Sequence, residues 1–305
     1  MLFLYLDTHY LSNFAKLEEG REFANADMLR LLLGKLRHGV KAGSLICPAS
    51  EFQLMEVTRS PDLSSSVCRV QQELSRGYYM KPWWEIYIHQ TASSLLTYLE
   101  RQRDIDVSWL FFTTDSPEVP LINEIEDAVR NAEQFLQTMN PPYETFVEQY
   151  AEEKMDLIRN TFLVNMSLRS GYEGLPPQSL SNLQKFLFML LVECRILEPE
   201  LPTILPEVCK FLLNSYYLDN IPYINVFCSL WASILVNERG RKPQSGDLID
   251  ISSLACALYN CNIVTTDANM KNHVVNRLGL GDKWNSRVFT QSTEDINKLI
   301  NVISQ

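Results

Sequence analysis

Hydrophobic positions change their texture along this chain. Leu2-Phe-Leu-Tyr-Leu6 is a continuous apolar run stopped by Asp7, the pattern of a strand buried on both faces, as in a parallel sheet. Thr8–Leu17 then reads as a short helix. Met28–Leu36 reads as another, its leucines recurring as on one buried face, with Gly39 and Gly43 expected to end the unit. Ser44–Cys47 is a second short strand, and Pro48 is expected to open a helix that carries Phe52, Met55 and Glu56. Strand, helices, strand, helix is the opening of an α/β fold.

From Val57 to Gly246 the texture is mostly helical. It is broken at Pro82, Pro117, Pro120, Pro141-Pro142, Pro176-Pro177, Pro199, Pro202, Pro206 and Pro222. Trp84–Glu100, Glu118–Thr138, Tyr143–Asn160 and Ser179–Leu197 are the helices expected there, and Val107–Phe112 is a strand candidate. No repeat or low-complexity segment stands out. After Pro243-Gln-Ser-Gly246 the α/β texture returns. Asp247–Tyr259 reads as a helix, Asn262–Thr265 as a buried strand leading to Asp267, and a further helix runs to about Leu278. Arg287–Phe289 is a last strand and Thr293–Ile303 a closing helix. The expected architecture is a small parallel sheet flanked by helices, built from residues 1–58 and 240–305, with residues 59–239 as a large, mostly helical insertion.

Acidic residues sit at telling places in that scheme. Asp7 and Asp267 each follow the C-terminal end of an expected strand, the edge where open α/β sheets bind their ligands. Glu56 lies on the helix after the second strand. Asp247 and Asp250, three apart at a helix start, can lean toward one spot. If the strands are parallel neighbours, these carboxylates converge, and ionised carboxylates held together call for cations between them. Such oxygen ligands suit Mg²⁺ or Mn²⁺, which can activate a water and stabilise displacement at phosphorus. Simpler roles stand beside this one. Asp7 and Asp267 can be helix N-caps, Asp247 and Asp250 can complement a helix dipole, and Glu56 can lie on a solvated face.

Charge and cysteine content modify the picture. The net charge of −10 argues against gripping nucleic acid by overall charge, which takes a basic protein; basic contacts would have to be local. Arg239, Arg241 and Lys242, just before Asp247, are candidates for a phosphate backbone, with a solvated loop as the alternative. The seven cysteines are scattered and never spaced CxxC, which fits buried, reduced thiols in a cytoplasm better than disulfides or a zinc site. Met1–Leu6 lacks the basic leader of a signal peptide. Apolar stretches such as Phe186–Val192 fall far short of the ~20 residues of a membrane span, so neither leader nor anchor is expected. Tyr78, Tyr79, Trp83 and Trp84 are expected in a buried aromatic cluster rather than as a base-stacking platform. His9 is a weak candidate for positioning substrate, while His38, His89 and His273 have no evident partners.

Four segments together resemble the PIN-domain family. Phe3-Leu-Tyr-Leu-Asp7-Thr-His-Tyr-Leu-Ser-Asn13 resembles its opening strand and first acidic motif, and Cys47-Pro-Ala-Ser-Glu-Phe-Gln-Leu-Met-Glu56 its second. Gly246-Asp247-Leu-Ile-Asp250-Ile-Ser-Ser-Leu-Ala with Ile263-Val-Thr-Thr-Asp267-Ala-Asn-Met is similar to its third and fourth motifs, and is the most specific part. The resemblance implies a PIN-like, Rossmann-type three-layer core and a Mg²⁺- or Mn²⁺-dependent endonuclease, acting on RNA more than on DNA. Asp7, Glu56, Asp250 and Asp267 would hold the metal, with Asp247 an additional or alternative ligand. Glu51, about one helical turn before Glu56, stays open as the second acid. Asp115, in Phe111-Phe-Thr-Thr-Asp115, echoes the fourth motif and reads as a capping or turn residue. A toxin or defence role would bring an antitoxin or regulatory protein as partner, and a homo-oligomer is also admitted. The insertion exceeds anything in a minimal PIN domain.

Two other functions compete. A haloacid-dehalogenase-type phosphatase also places Asp after its first strand, but needs a second acid two residues later, where this chain has His9. A PIN-like fold turned into a binding or regulatory module suits the acidic balance, whereas the complete acid set favours catalysis.

Overall fold

In the computed structural model, residues 1–58, 61–101, 112–113, 187–188, 190–212, 214, 219–237 and 245–304 are described. Their strands are β1 (Leu2–Tyr5), β2 (Leu45–Ile46), β3 (Tyr79–Met80), β4 (Phe112–Thr113), β5 (Ile263–Thr265) and β6 (Arg287–Phe289). The helices are α1 (Thr8–Glu18), α2 (Ala26–Ala42), α3 (Glu51–Thr58), α4 (Pro61–Ser75), α5 (Trp83–Tyr98), α6 (Leu201–Leu212), α7 (Pro222–Asn237), α8 (Ser245–Asn260), α9 (Ala268–Lys271), α10 (Leu280–Lys283) and α11 (Thr293–Ile303). The chain divides into two compact units, Met1–Pro82 with Phe111–Ala132 and Gln244–Gln305, and Trp83–Leu110 with Glu133–Pro243. The first unit thus takes in residues 59–82 as well as both ends of the chain.

The first unit is α/β, built on a four-stranded, all-parallel sheet of order β2-β1-β5-β6. Leu4 pairs with Ile263 and Tyr5 with Val264, so strands from opposite ends of the sequence lie side by side at the sheet centre. Alternation along β1 sends side chains to opposite faces. Leu4 and Leu6 join Leu45, Cys47, Ile263 and Phe289 in the main core, with α1, α2, α4, α11 and Val57 of α3 supplying the rest. Tyr5 meets Ser253 of α8 on the other side, and α8 also lies against β5. Helices therefore stand on both faces of the sheet.

Local chemistry sets the helix ends, and in places departs from the expected pattern. α2 runs through Gly39 to Ala42 and stops at Gly43, whose φ of +72° closes it in the left-handed conformation. Gly39 serves a different purpose: a Cβ there would stand 3.2 Å from Cβ of Leu45, so glycine lets helix and strand approach. α3 starts at Glu51 rather than Pro48. Ser50 accepts from Gln53 N–H at 3.2 Å and donates its own N–H to Gln53 Oε1 at 2.8 Å, a reciprocal capping box. Ahead of it, Ala49 is held extended by hydrogen bonds with Tyr78 and Met80 at 3.0 and 2.7 Å, a pairing the sequence pattern did not signal. The helix expected to run to Leu278 is α9 followed by a π-helical turn, Asn272–Arg277. Pro206, expected to break a helix, lies inside α6.

A polar lock fixes α11. Asp295, 5 % exposed, accepts from Thr290 N–H and Oγ1 at 2.8 Å each and pairs with Lys271 Nζ at 2.6 Å, while Tyr10 donates to Thr290 O at 2.6 Å. The loop after β6 is thereby tied to α1, α9 and α11.

In the second unit α7 is buried on nearly every side, through Ile224, Val226, Leu230 and Ala232. Tyr223, Phe227 and Trp231, four apart along it, stack in sequence, and Trp83 stacks on Tyr223 at 6.0 Å. Tyr223 N–H donates to Gln90 Oε1 of α5 at 2.7 Å, and Tyr98 donates to Glu207 of α6 at 2.8 Å. The expected aromatic burial is corrected here, since Tyr78, Trp83 and Trp84 are 38–41 % exposed. Cys209 is likewise exposed rather than buried, and all seven cysteines are free. Among the described residues no helix is long and apolar enough to cross a membrane. The expected helices Glu118–Thr138 and Tyr143–Asn160, nearly all of the strand candidate Val107–Phe112 and the start of Ser179–Leu197 lie outside the described residues.

Burial acts to raise the Asp295 carboxyl, but the bonds from Lys271 and Thr290 outweigh it and hold the group below the usual carboxylate range. Asp295→Ala is expected to lower unfolding free energy by about 2–4 kcal/mol at pH 7, because Lys271 and Thr290 lose their partner. A depressed folded-state carboxyl contributes stability above its unfolded pKa that is lost as pH falls. In urea titrations the gap between variant and wild type should therefore narrow below about pH 4; a gap independent of pH would rule out the ionised pair as its source.

Candidate functional site

The C-terminal edge of the sheet collects the acids. Asp7 stands two residues beyond β1, where the backbone ladder has ended and a side chain takes over. Its N–H donates to Thr265 Oγ1 at 2.7 Å, and that hydroxyl donates to Tyr5 O at 3.2 Å. Asp7 Oδ1 accepts from His9 N–H at 2.7 Å, capping α1. Asp267, two residues beyond β5, caps α9 through Oδ1, which accepts from Asn269 and Met270 N–H at 2.6 and 2.9 Å. The capping role weighed for both residues is thus real. It occupies one oxygen of each carboxylate and leaves Oδ2 outside the cap.

Helices from either side bring the other acids. Asp7, Glu56 of α3 and Asp250 of α8 line one pocket with Tyr5, Ser253, Leu254, Thr265 and Thr266. All three acids are half-buried. Asp267 is exposed and lies within electrostatic reach of both Asp7 and Asp250. Asp247 is buried and acts on Asp250 from outside the lining. Glu51 is buried at the start of α3, where it acts on Cys256; Glu56 is the α3 acid that lines the pocket. His9 is exposed beside Lys16 and Asp267, and burial followed by Lys16 pushes its pKa down. His38 is exposed and His273 buried, while His89 Nδ1 lies 3.1 Å from Glu193 Oε1 in the second unit. Arg239, Arg241, Lys242 and Asp115 lie outside the described residues.

The pocket holds its acids against their preference. Burial, and after it the charges of Glu56 and Asp267, push Asp7 up to about 7 despite the bond from His9 N–H. Burial, then Glu56, Asp7, Asp267 and Asp247, push Asp250 up to about 8. Near neutrality the cluster therefore carries fewer charges than it has carboxyls, or needs a cation to keep them ionised. Oxygen donors of this kind match Mg²⁺ or Mn²⁺ in chemistry. As the side chains stand, no group of three or more His, Cys, Asp or Glu among the described residues is arranged around a single ion. The acids surround a common space without closing on one point. The enclosed part of that space is about 10 Å³, room for about one water or a bare ion.

No protein-family model, curated protein or solved structure matches this chain.

Several pocket residues escape a reading that looks for acids alone. Thr265 stands inside the quoted Thr-Thr-Asp segment, yet its service to Asp7 N–H requires β1 and β5 to be adjacent. Tyr5, whose hydroxyl has those of Ser253 and Ser50 as hydrogen-bonding neighbours, looks like one more apolar position of a buried strand. Ser253 follows Asp250 at i+3 on α8, the only signal that it shares Asp250's face.

Both raised carboxyls contribute stability that is complete below their unfolded pKa, near 4, and lost as pH rises through about 7 to 8. Without divalent ions, Tm should fall across that window. Asp250→Asn should be more stable than wild type at pH 8 by roughly 1–3 kcal/mol, discounted for the open mouth, and level with it near pH 4. A Tm profile that rises between pH 5 and 8 in EDTA, with no gain from Asp250→Asn, would contradict this electrostatic account.

Proposed function

We propose that this chain is a divalent-metal-dependent endonuclease with a PIN-like core, acting on RNA in preference to DNA. The observation that carries the reading is the shared pocket of Asp7, Glu56 and Asp250 at the C-terminal edge of a parallel sheet, with Asp267 in electrostatic reach. Asp7, Glu56, Asp250 and Asp267 hold Mg²⁺ or Mn²⁺ in this reading, with Asp247 supporting Asp250 or joining as a further ligand. When bound, the metal supplies an activated water and offsets charge on the phosphate undergoing in-line displacement. The protein supplies the rest. Thr265 fixes the Asp7 backbone, the caps at α1 and α9 orient Asp7 and Asp267, and α3 and α8 present Glu56 and Asp250 from two sides. Arg239, Arg241 and Lys242, which lie outside the described residues, are the basic side chains this reading assigns to the nucleic-acid backbone. A cytoplasmic setting goes with seven free thiols. A role as toxin or defence effector, with an antitoxin or regulatory partner, and self-association belong to the same proposal.

A second reading, a PIN-like binding or regulatory module without catalysis, draws on two observations: the net charge of −10 and the lack, among the described residues, of a closed ligand group. The phosphatase reading is weaker, since position 9, where its second acid belongs, is an exposed histidine.

Full-length protein incubated with mixed RNA and DNA is expected to cut RNA in Mn²⁺ and to cut neither in EDTA. Asp7→Asn and Asp267→Asn should each lower the rate by roughly 100-fold or more while folding normally by circular dichroism. Cleavage undiminished in both variants would remove the proposal, and no cleavage of either nucleic acid in Mn²⁺ would favour the binding module.

A further inference from the structure

Gln53 is 1 % exposed, and three hydrogen bonds reach its side-chain amide from three separate segments. Its Nε2 donates to Leu6 O, the carbonyl just ahead of Asp7. Its Oε1 accepts from Ser50 N–H at 2.8 Å and from Gln71 Nε2 of α4 at 2.8 Å. The orientation of the amide is fixed chemically, since a carbonyl can only accept and a backbone N–H can only donate. Gln53 precedes Glu56 by three residues on α3, so one buried amide joins the β1 exit that carries Asp7 to the helix that carries Glu56.

The geometry points to Gln53 as the positioning residue of the acid pocket, setting the spacing of Asp7 and Glu56 for a divalent ion. The inference rests on the metal-binding reading of that pocket. Two like-charged acids in a buried site drift apart unless their supports are rigid, and a neutral amide can brace both elements without adding charge. Gln71 braces the brace by taking up the second lone pair of Gln53 Oε1. Changing the groups that orient metal ligands typically costs roughly 10–100-fold in metal affinity, and Gln53 acts one step further out, through the backbone that carries Asp7.

The test is Mn²⁺ affinity of the full chain, read by electron paramagnetic resonance of free Mn²⁺ well below the thermal transition, with Tm measured in parallel. Gln53→Met keeps the volume and removes the amide, and should raise Kd roughly 10–100-fold. Leu299→Ala, a core truncation of a fully buried residue in α11, should lower Tm while leaving Kd within about twofold. Should Gln53→Met not fold, Gln71→Met loosens the amide from outside and should weaken Mn²⁺ binding by a smaller factor. Wild-type affinity in the Gln53 variant, or in the Gln71 variant where that one decides, would overturn the role of Gln53 and leave the metal reading standing. An equal loss in Leu299→Ala would also overturn it, since any destabilisation would then suffice. No Mn²⁺ binding by the wild type would overturn the metal reading itself, and this inference with it.

Discussion

The parallel pairing of β1 with β5 is the constraint on which everything in the first unit depends. Leu4–Tyr5 and Ile263–Val264 are joined in register, although most of the chain separates them. Closing so long a loop costs entropy that rises only slowly with length. The core can offset it: Leu4, Leu6, Ile263 and Phe289 pack together against the leucines of α1 and α2. Thr265 extends the pairing by one hydrogen bond past the ladder, to Asp7 N–H. The same contact that completes the sheet therefore sets the first acid, and loss of the pairing would remove pocket and core together.

That arrangement puts fold and pocket in opposition. A sheet edge where parallel strands end and helices begin offers N–H groups that attract carboxylates, and Asp7 and Asp267 accept them as caps. Capping alone would not need two acids on adjacent strands with Glu56 and Asp250 facing them. Burial and mutual repulsion raise Asp7 and Asp250 to about 7 and 8, and groups held at such a disadvantage concentrate at functional sites. Neutral and paired polar contacts stiffen the same unit: Gln53 bonds the β1 exit to α3, and Asp295 ties the loop after β6 to α9 and α11.

Much of the first unit was legible because its signals are local. Arg287–Phe289 and Thr293–Ile303 fall where the pattern predicts them, as a short strand with two buried residues and an amphipathic helix behind a serine cap. Asp7 and Asp267 could be singled out because each stands just past a strand end, and Glu56 and Asp250 because each lies on a helix next to such a strand in sequence. Features that depend on contacts across the fold were not legible. Gly39 resembles a helix terminator until Leu45 is found against it, and the β3 pairing with Ala49 has no periodic signature. Gln53 and Tyr5 read as ordinary helix and strand residues, because their roles exist only once β1, α3 and α8 are neighbours. Pro206 within α6 shows tertiary packing overriding a helix breaker.

The acidic balance and the nuclease reading are compatible only on particular terms. A net charge of −10 repels a polyanion at long range, but in physiological salt that field is screened over about 8 Å. What decides binding is then the charge a phosphate meets at the pocket mouth. Four carboxyls without a cation would repel it, whereas a bound divalent ion would offset part of that charge, offer the phosphate a cation to meet directly, and draw Asp7 and Asp250 back to their ionised forms. Substrate and metal would consequently bind with positive coupling, each stabilising the charge arrangement the other needs. On the proposed function, an acidic protein of this design would engage nucleic acid when the ion is present and release it when the ion is lost, which would tie affinity to the acid pocket rather than to a basic surface.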